Sequence, residues 1–140
     1  MTAEENKRLI QRWLPAWNER NMEAFYDIFD PACDFRSLAA YGLPPTLENF
    51  KLITGSMIQS FPDIQNRLEE IIAEDDKVVV RVSESGTHRG TWLNIPATNK
   101  QVTFQEWVVY RFGPNGKVVE WTFLADMLGI LNQINPAPAR

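Results

Sequence analysis

The chain has one cysteine and one histidine in 140 residues. A lone Cys33 excludes an intrachain disulfide, and Cys33 with His88 is too small a set for a zinc site of the usual His/Cys kind, so any metal would have to be held by carboxylates. Charge of one sign is also missing as a block. The 14 basic and 18 acidic residues, net charge -4, are spread along the chain, and nothing tracks a phosphate backbone or an anionic lipid surface. Nucleic acid and membrane are therefore not expected partners. No apolar run opens the chain as a signal peptide or a spanning helix would, since Glu4, Glu5, Lys7 and Arg8 come first. The expectation is a soluble cytoplasmic protein.

Aromatic side chains are plentiful instead: five Trp, eight Phe and three Tyr in a chain that is 44% hydrophobic. One domain over residues 1–140 buries about 68–70% of its unfolded surface, enough for one core. Those rings exceed what a minimal core needs, which leaves some free to line a cavity.

The first half reads as helical. Leu9, Ile10, Trp13, Leu14 and Trp17 recur at spacings of three and four, Thr2 and Glu5 stand in capping-box positions, and Pro15 predicts a kink or break. A short helix with Met22, Phe25, Tyr26 and Phe29 inward is expected to end at Asp30-Pro31. Cys33–Leu38 reads as a short strand. Thr46 is the expected N-cap of a helix reaching about Ser60, with Leu47, Phe50, Ile53, Met57 and Ile58 buried.

Beyond Pro62 the period changes to alternation. Ile64–Ile72, Lys77 to about Gly90, Val102–Phe112 and Lys117–Leu124 read as strands, the first pair joined by Asp75-Asp76 and the last by Pro114-Asn115-Gly116, both antiparallel hairpins. A final helix is expected from about Asp126 to Ile134, ahead of a Pro-Ala-Pro tail. Helices first and a strand meander afterwards predict an α+β fold, a curved antiparallel sheet wrapped around the N-terminal helices and able to enclose a pocket.

Alternation picks out polar exceptions. Val78, Val80 and Val82 form a stripe that Glu84 and His88 continue, unless a bulge at Gly86 reverses it. Glu84 is expected to emerge into water at the strand end. Phe104, Val108, Tyr110 and Phe112 form a second stripe interrupted by Glu106, with Trp107 and Val109 on the opposite face. Val119, Trp121 and Phe123 are the apolar set of the last strand. Asp126 sits where a strand becomes a helix, the place of an N-cap and equally of a carboxylate held beside a pocket. Trp13, Trp17, Phe25, Phe29 and Phe35 are core or cavity wall.

Five segments in order, Asp76-Lys77-Val78-Val79-Val80-Arg81, Gly86-Thr87-His88-Arg89-Gly90, Ile95-Pro96-Ala97-Thr98, Tyr110-Arg111-Phe112 and Gly116-Lys117-Val118-Val119-Glu120-Trp121, resemble the SnoaL-like polyketide cyclases of the nuclear-transport-factor-like superfamily. The resemblance runs from Leu9 to Ile134. It implies a cone-shaped α+β barrel with an apolar pocket, often a homodimer through the sheet, and a cofactor-independent acid/base ring closure on a hydrophobic polyketide-like carbonyl compound. It places the family's catalytic aspartate at Asp126, with His88 or Glu106 as polar partner. Trp13, Trp17, Phe29, Phe35, Tyr110, Trp121 and Phe123 are then the expected substrate contacts, with no metal or cofactor. Two departures stand out: Ile95-Pro96-Ala97-Thr98-Asn99 where Ile-Pro-Pro-Thr-Gly is common, and Glu120-Trp121-Thr122 where Glu-His-Trp is common. The same cone also hosts epoxide hydrolases, hydroxylases and plain binding or dimeric scaffold proteins. A hydrolase set of carboxylate, arginine and carboxylate would need Arg81 or Arg111 beside Glu106, and alternation turns Arg81 away from the apolar stripe and sets Arg111 opposite in face to Glu106.

Overall fold

In the computed structural model, which describes residues 1–135, helix α1 (Ala3–Trp13) opens on the capping box anticipated at Thr2 and Glu5, each side chain bonding the other residue's amide. Pro15 cannot donate to the preceding turn, so α1 gives way at Leu14 to a one-turn helix α2 (Pro15–Asn18). Arg20, in the left-handed region at φ 58°, ends that turn and donates to the carbonyls of Trp17, Pro62 and Ile64. Asn18 donates to the carbonyl of Asn66 and accepts from its amide, as a neighbouring strand would.

Helix α3 (Met22–Asp27) is shorter than its apolar spacing predicts, because Phe29 already belongs to strand β1 (Phe29–Asp34). The strand expected over Cys33–Leu38 is thus displaced toward the N-terminus, and Arg36–Tyr41 forms a 3-10 helix closed by Gly42 at φ 72°. Helix α4 (Leu47–Ser60) starts at Thr46 as expected, but only Phe50 among its predicted inward residues is fully buried. Strands β2 (Gln65–Glu74), β3 (Lys77–Thr87), β4 (Gln101–Phe112) and β5 (Val118–Ala125) follow, and helix α5 (Met127–Ile134) ends the described chain. The Pro-Ala-Pro tail, 136–138, lies outside the described residues.

The sheet order is β1-β5-β4-β3-β2, antiparallel throughout except where β1 pairs parallel with β5. It is an α+β fold with a curved sheet that stays open, with β1 and β2 as edges, so the barrel implied by the resemblance is a cone and not a closed cylinder. Asn18 covers part of the β2 edge, which limits its use as a template for another strand.

Register decides which side chains fill the cone. β3 and β4 pair without interruption from Lys77↔Arg111 to Thr87↔Gln101, so Gly86 is no bulge and the even positions stay inside. A register shift between Arg111 and Phe112 lets both Val118 and Trp121 turn inward, although they are three residues apart. The helices supply the opposing rings: Trp13 stacks on Phe25 at 4.8 Å, Phe35 on Phe50 at 4.4 Å, and Phe50 meets Trp121 at 4.8 Å.

The mouth of the cone is tied to α4 by a close backbone approach. The amides of Arg89 and Gly90 both donate to the Ser60 carbonyl, and a Cβ on Gly90 would lie 2.5 Å from the carbonyl oxygen of Gln59. Gly90→Ala is expected to lower Tm by about 4 °C or more, since backbone must move to relieve the clash. Circular dichroism melts of the variant against Gly55→Ala, whose added methyl meets nothing within 4 Å, check this.

Candidate functional site

A cavity of about 220 Å³ opens between the helices and the inner face of the sheet. Its walls are mostly aromatic and aliphatic, from α1, α2, α4 and the even positions of β3 and β4. Trp13, Trp17, Tyr110, Trp121 and Phe123, all expected from the sequence, line it. Phe29 and Phe35 do not. They stand one layer back, Phe29 at 5.1 Å from Phe35 and Phe35 stacked on Phe50, which takes the lining position instead. Phe50, Met57 and Trp92 were not anticipated as lining residues.

Two carboxyl groups interrupt this wall. Glu84 lies opposite Phe104 and Glu106 opposite Val82, so the glutamates are diagonal neighbours on the inner face. Glu84 is 7% exposed, which corrects the expectation that it emerges into water: the pleat carries it inward because β3 keeps its alternation through Gly86. Glu106 is partly buried beside it. The two carboxyl groups are close enough to perturb one another. Burial pushes the Glu84 carboxyl well above the usual carboxylate range, and the neighbouring Glu106 charge raises it further. Burial raises Glu106 as well. Glu84 thus holds its proton more strongly than a free carboxyl does, and the two groups titrate as a unit. Among the described residues no lysine, arginine or histidine lines the cavity. Tyr110, deeper on β4, has its hydroxyl held protonated by burial and then by Glu106 and Glu84.

His88 and Asp126 lie elsewhere. His88 is fully buried but outside the cavity wall, packed 5.5 Å from the Phe61 ring. Its Nδ1 accepts from the Thr98 amide at 3.3 Å and lies 3.0 Å from the Thr98 hydroxyl, so the neutral ring carries its hydrogen on Nε2, which has no partner among the described residues. The backbone of His88 also bonds Lys100 and Asn99, closing the loop that carries Trp92 to the cavity mouth. Asp126 is exposed: its Oδ1 accepts from the Gly129 amide at 2.9 Å as the N-cap of α5. Ala125 and Met127 on either side face the cavity, and the strand pleat turns the aspartate away from it. The structure therefore brings Glu106 together with Glu84, and not with Asp126 or His88. Alternation was the signal that could have found Glu84.

Arg81 and Arg111 are on the outer face, Arg81 with Glu70 at 3.2 Å and Arg111 with Glu120 at 3.4 Å, so neither completes a carboxylate–arginine–carboxylate set inside the cone. Among the described residues no group of three or more His, Cys, Asp or Glu could hold a metal, and no helix is long and apolar enough to cross a membrane.

The pattern of the SnoaL-like polyketide cyclases matches residues 7–134. The chain belongs to that family. AclR of Streptomyces galilaeus, a candidate hydroxylase, is similar in structure at TM-score 0.87 and 24% identity, over 99% of this chain and 86% of that one. TsrD of Streptomyces laurentii follows at TM-score 0.83 and 20% identity, over 98% and 99% of the two chains. A candidate SnoaL-like polyketide cyclase of Jannaschia sp. CCS1 superposes at TM-score 0.80 and 19% identity, over 98% and 95%. No curated protein matches the chain by sequence. Against the SnoaL-like pattern, Asn99 stands where glycine is common and adopts φ 58°, a left-handed conformation asparagine tolerates. The second departure puts an indole, Trp121, into the cavity wall where the family often has an imidazole.

The raised carboxyl of Glu84 fixes a sign for stability against pH. Below the ordinary carboxyl value of 4.5 it is protonated folded and unfolded alike and has no differential effect. Above that value the unfolded chain releases its proton while the folded chain retains it, so stability falls as pH rises toward the folded value. Glu84→Gln is expected to match the wild type near pH 4 and to melt roughly 3 °C or more higher at about pH 8. Scanning calorimetry across that range checks it; a gain that shrinks as pH rises would contradict the assignment.

Proposed function

We propose that this SnoaL-like protein is a cofactor-independent cyclase or isomerase that moves a carbon-bound proton of a hydrophobic carbonyl compound. The observation that carries the reading is the neighbouring pair of buried carboxyls, Glu84 and Glu106, in an aromatic cavity that no basic residue lines among the described residues. Abstraction next to a carbonyl needs a base within about 3 Å and a donor for the enolate oxygen. Glu106 takes the proton, and protonated Glu84 or the Tyr110 hydroxyl donates to the oxygen. Both roles are filled by this chain, and the mechanism needs no metal or cofactor.

Asp126, matched to the family's catalytic aspartate by order, serves in this reading as the cap of α5. A binding protein without chemistry would share that cap, and only an enzyme would accelerate proton exchange at carbon. The expected test is hydrogen–deuterium exchange at the α-carbon of a compact ketone such as 2-tetralone, followed by NMR in deuterated water. The wild type should accelerate exchange, Glu106→Gln should lose about 100-fold or more, and Asp126→Asn, which keeps a good cap, should lose little. Exchange that survives Glu106→Gln and fails in Asp126→Asn would return the role to the aspartate.

We also infer a homodimer through the outer face of the sheet. There Trp107 is 45% and Leu124 75% exposed, paired across β4 and β5, and Ile72 adds to the patch. Apolar groups gathered on an open sheet face favour burial against a second copy. Light scattering at micromolar concentration should give twice the chain mass for the wild type and one chain mass for Trp107→Glu.

A further inference from the structure

The reading above leaves one property of the cavity unused: its charge balance. Elsewhere on the sheet several acidic residues have basic partners, Glu70 with Arg81, Glu120 with Arg111 and Arg36, and Glu69 with Arg67. Among the described residues Glu84 and Glu106 have none, and no cationic side chain of those residues reaches the cavity wall. An anionic ligand would meet two carboxyls and no counter-charge. A cation would meet the carboxyl pair in a wall that also carries the rings of Trp13, Trp17, Phe25 and Trp121, and π systems attract positive charge most strongly where water is excluded. A second observation concerns a donor. Trp17 is 5% exposed and lines the cavity, yet its indole N–H has no acceptor among the described residues. A buried indole donor usually has a partner, so an acceptor oxygen on the ligand would complete it.

We propose that the ligand is a compact aryl amino ketone, bound with its ammonium group on the Glu84–Glu106 pair and its oxygen available to the Trp17 indole. The proposal rests on the carbonyl reading given above and adds the second functional group and its charge. The ammonium supplies the counter-ion the pair lacks, and it holds the carbonyl beside the carboxyl that receives the proton. Carboxylate- and phosphate-bearing compounds are excluded by the same arrangement.

The test is calorimetric titration of the full chain at about pH 7 with three ligands that share one ring system and ketone: 2-amino-1-(naphthalen-2-yl)ethanone, its 2-hydroxy analogue and naphthalen-2-ylglyoxylate. The amine should bind about tenfold or more tighter than the alcohol, and the glyoxylate should not bind. Glu84→Gln/Glu106→Gln should bring the amine down to the alcohol's affinity in that same variant. Trp17→Phe should weaken the amino ketone several-fold but not 2-(naphthalen-2-yl)ethylamine, which lacks the oxygen. Equal affinity of amine and alcohol in the wild type, preference for the glyoxylate, or no binding of the amine overturns the proposal, and this wild-type comparison decides even where a variant does not fold. Amine preference without isotope exchange would keep this inference and remove the catalytic one. Exchange without amine preference would do the reverse.

Discussion

Two carboxyl groups inside an apolar cone are the constraint around which the rest of the molecule is arranged. Desolvating one carboxylate costs several kcal/mol, and desolvating two beside each other is worse unless a proton lies between them. Glu84 and Glu106 meet that condition because burial, and then the neighbouring Glu106 charge, raises the Glu84 carboxyl well above the usual carboxylate range. The cost that remains is offset by the aromatic packing of Trp13, Phe25, Phe35, Phe50 and Trp121, whose stacked and edge contacts form one continuous cluster in and behind the cavity wall. A site with this energetics is hard to explain by stability alone, because apolar residues of similar size would serve the core better.

The sheet sorts charge by face. Arg81, Arg111 and Arg36 all find their acidic partners outside, and Arg81 also lies over the Trp107 ring at 5.7 Å. The pleat makes this sorting automatic, since odd positions of β3 and β4 face out and even positions face in. A slip of one residue between those strands would bring the arginines inside and expel the glutamates. Continuous pairing over eleven residue pairs, Lys77↔Arg111 to Thr87↔Gln101, is therefore what defines the site's chemistry as acidic.

The sequence was most informative where the signal is local or strictly periodic. Capping residues Thr2 and Thr46, the break at Pro15 and the hairpin turns are short-range chemistry, and they appear where expected. Alternation along β3 and β4 also sufficed for their inner faces. It failed for Glu84 only because a strand end was assumed to open into water, whereas β3 stays in register with β4 through Thr87 and keeps Glu84 in the cavity wall, a long-range arrangement no short window contains. The edge strand β1 was misplaced for a related reason. It is defined by parallel pairing to β5, nearly ninety residues away, and Phe29 reads equally well as the last turn of a helix. Asp126 shows the limit of a matched position. Order along the chain fixes the residue but not the direction of its side chain, and the Gly129 amide decides that direction.

Strain at the mouth completes the arrangement. Leu93 and Asn94 both have positive φ, 46° and 63°, in the tight turn between the bridged Trp92 and Ile95. Such turns favour Asn-Gly, and a leucine there costs about 1–2 kcal/mol. That leucine is largely exposed and also borders the cavity, so the turn places an apolar side chain at the entrance that a relaxed turn of small polar residues would lack. The surrounding bonds over-determine the loop: His88 grips Thr98 and Lys100 on one side, and Gly90 leaves no room between the loop and the end of α4 on the other. Buried His88 thus acts on the site through Trp92 and Leu93 rather than by touching a ligand, and the apolar rim it positions keeps water from the carboxyl pair, which raises the worth of every charge inside.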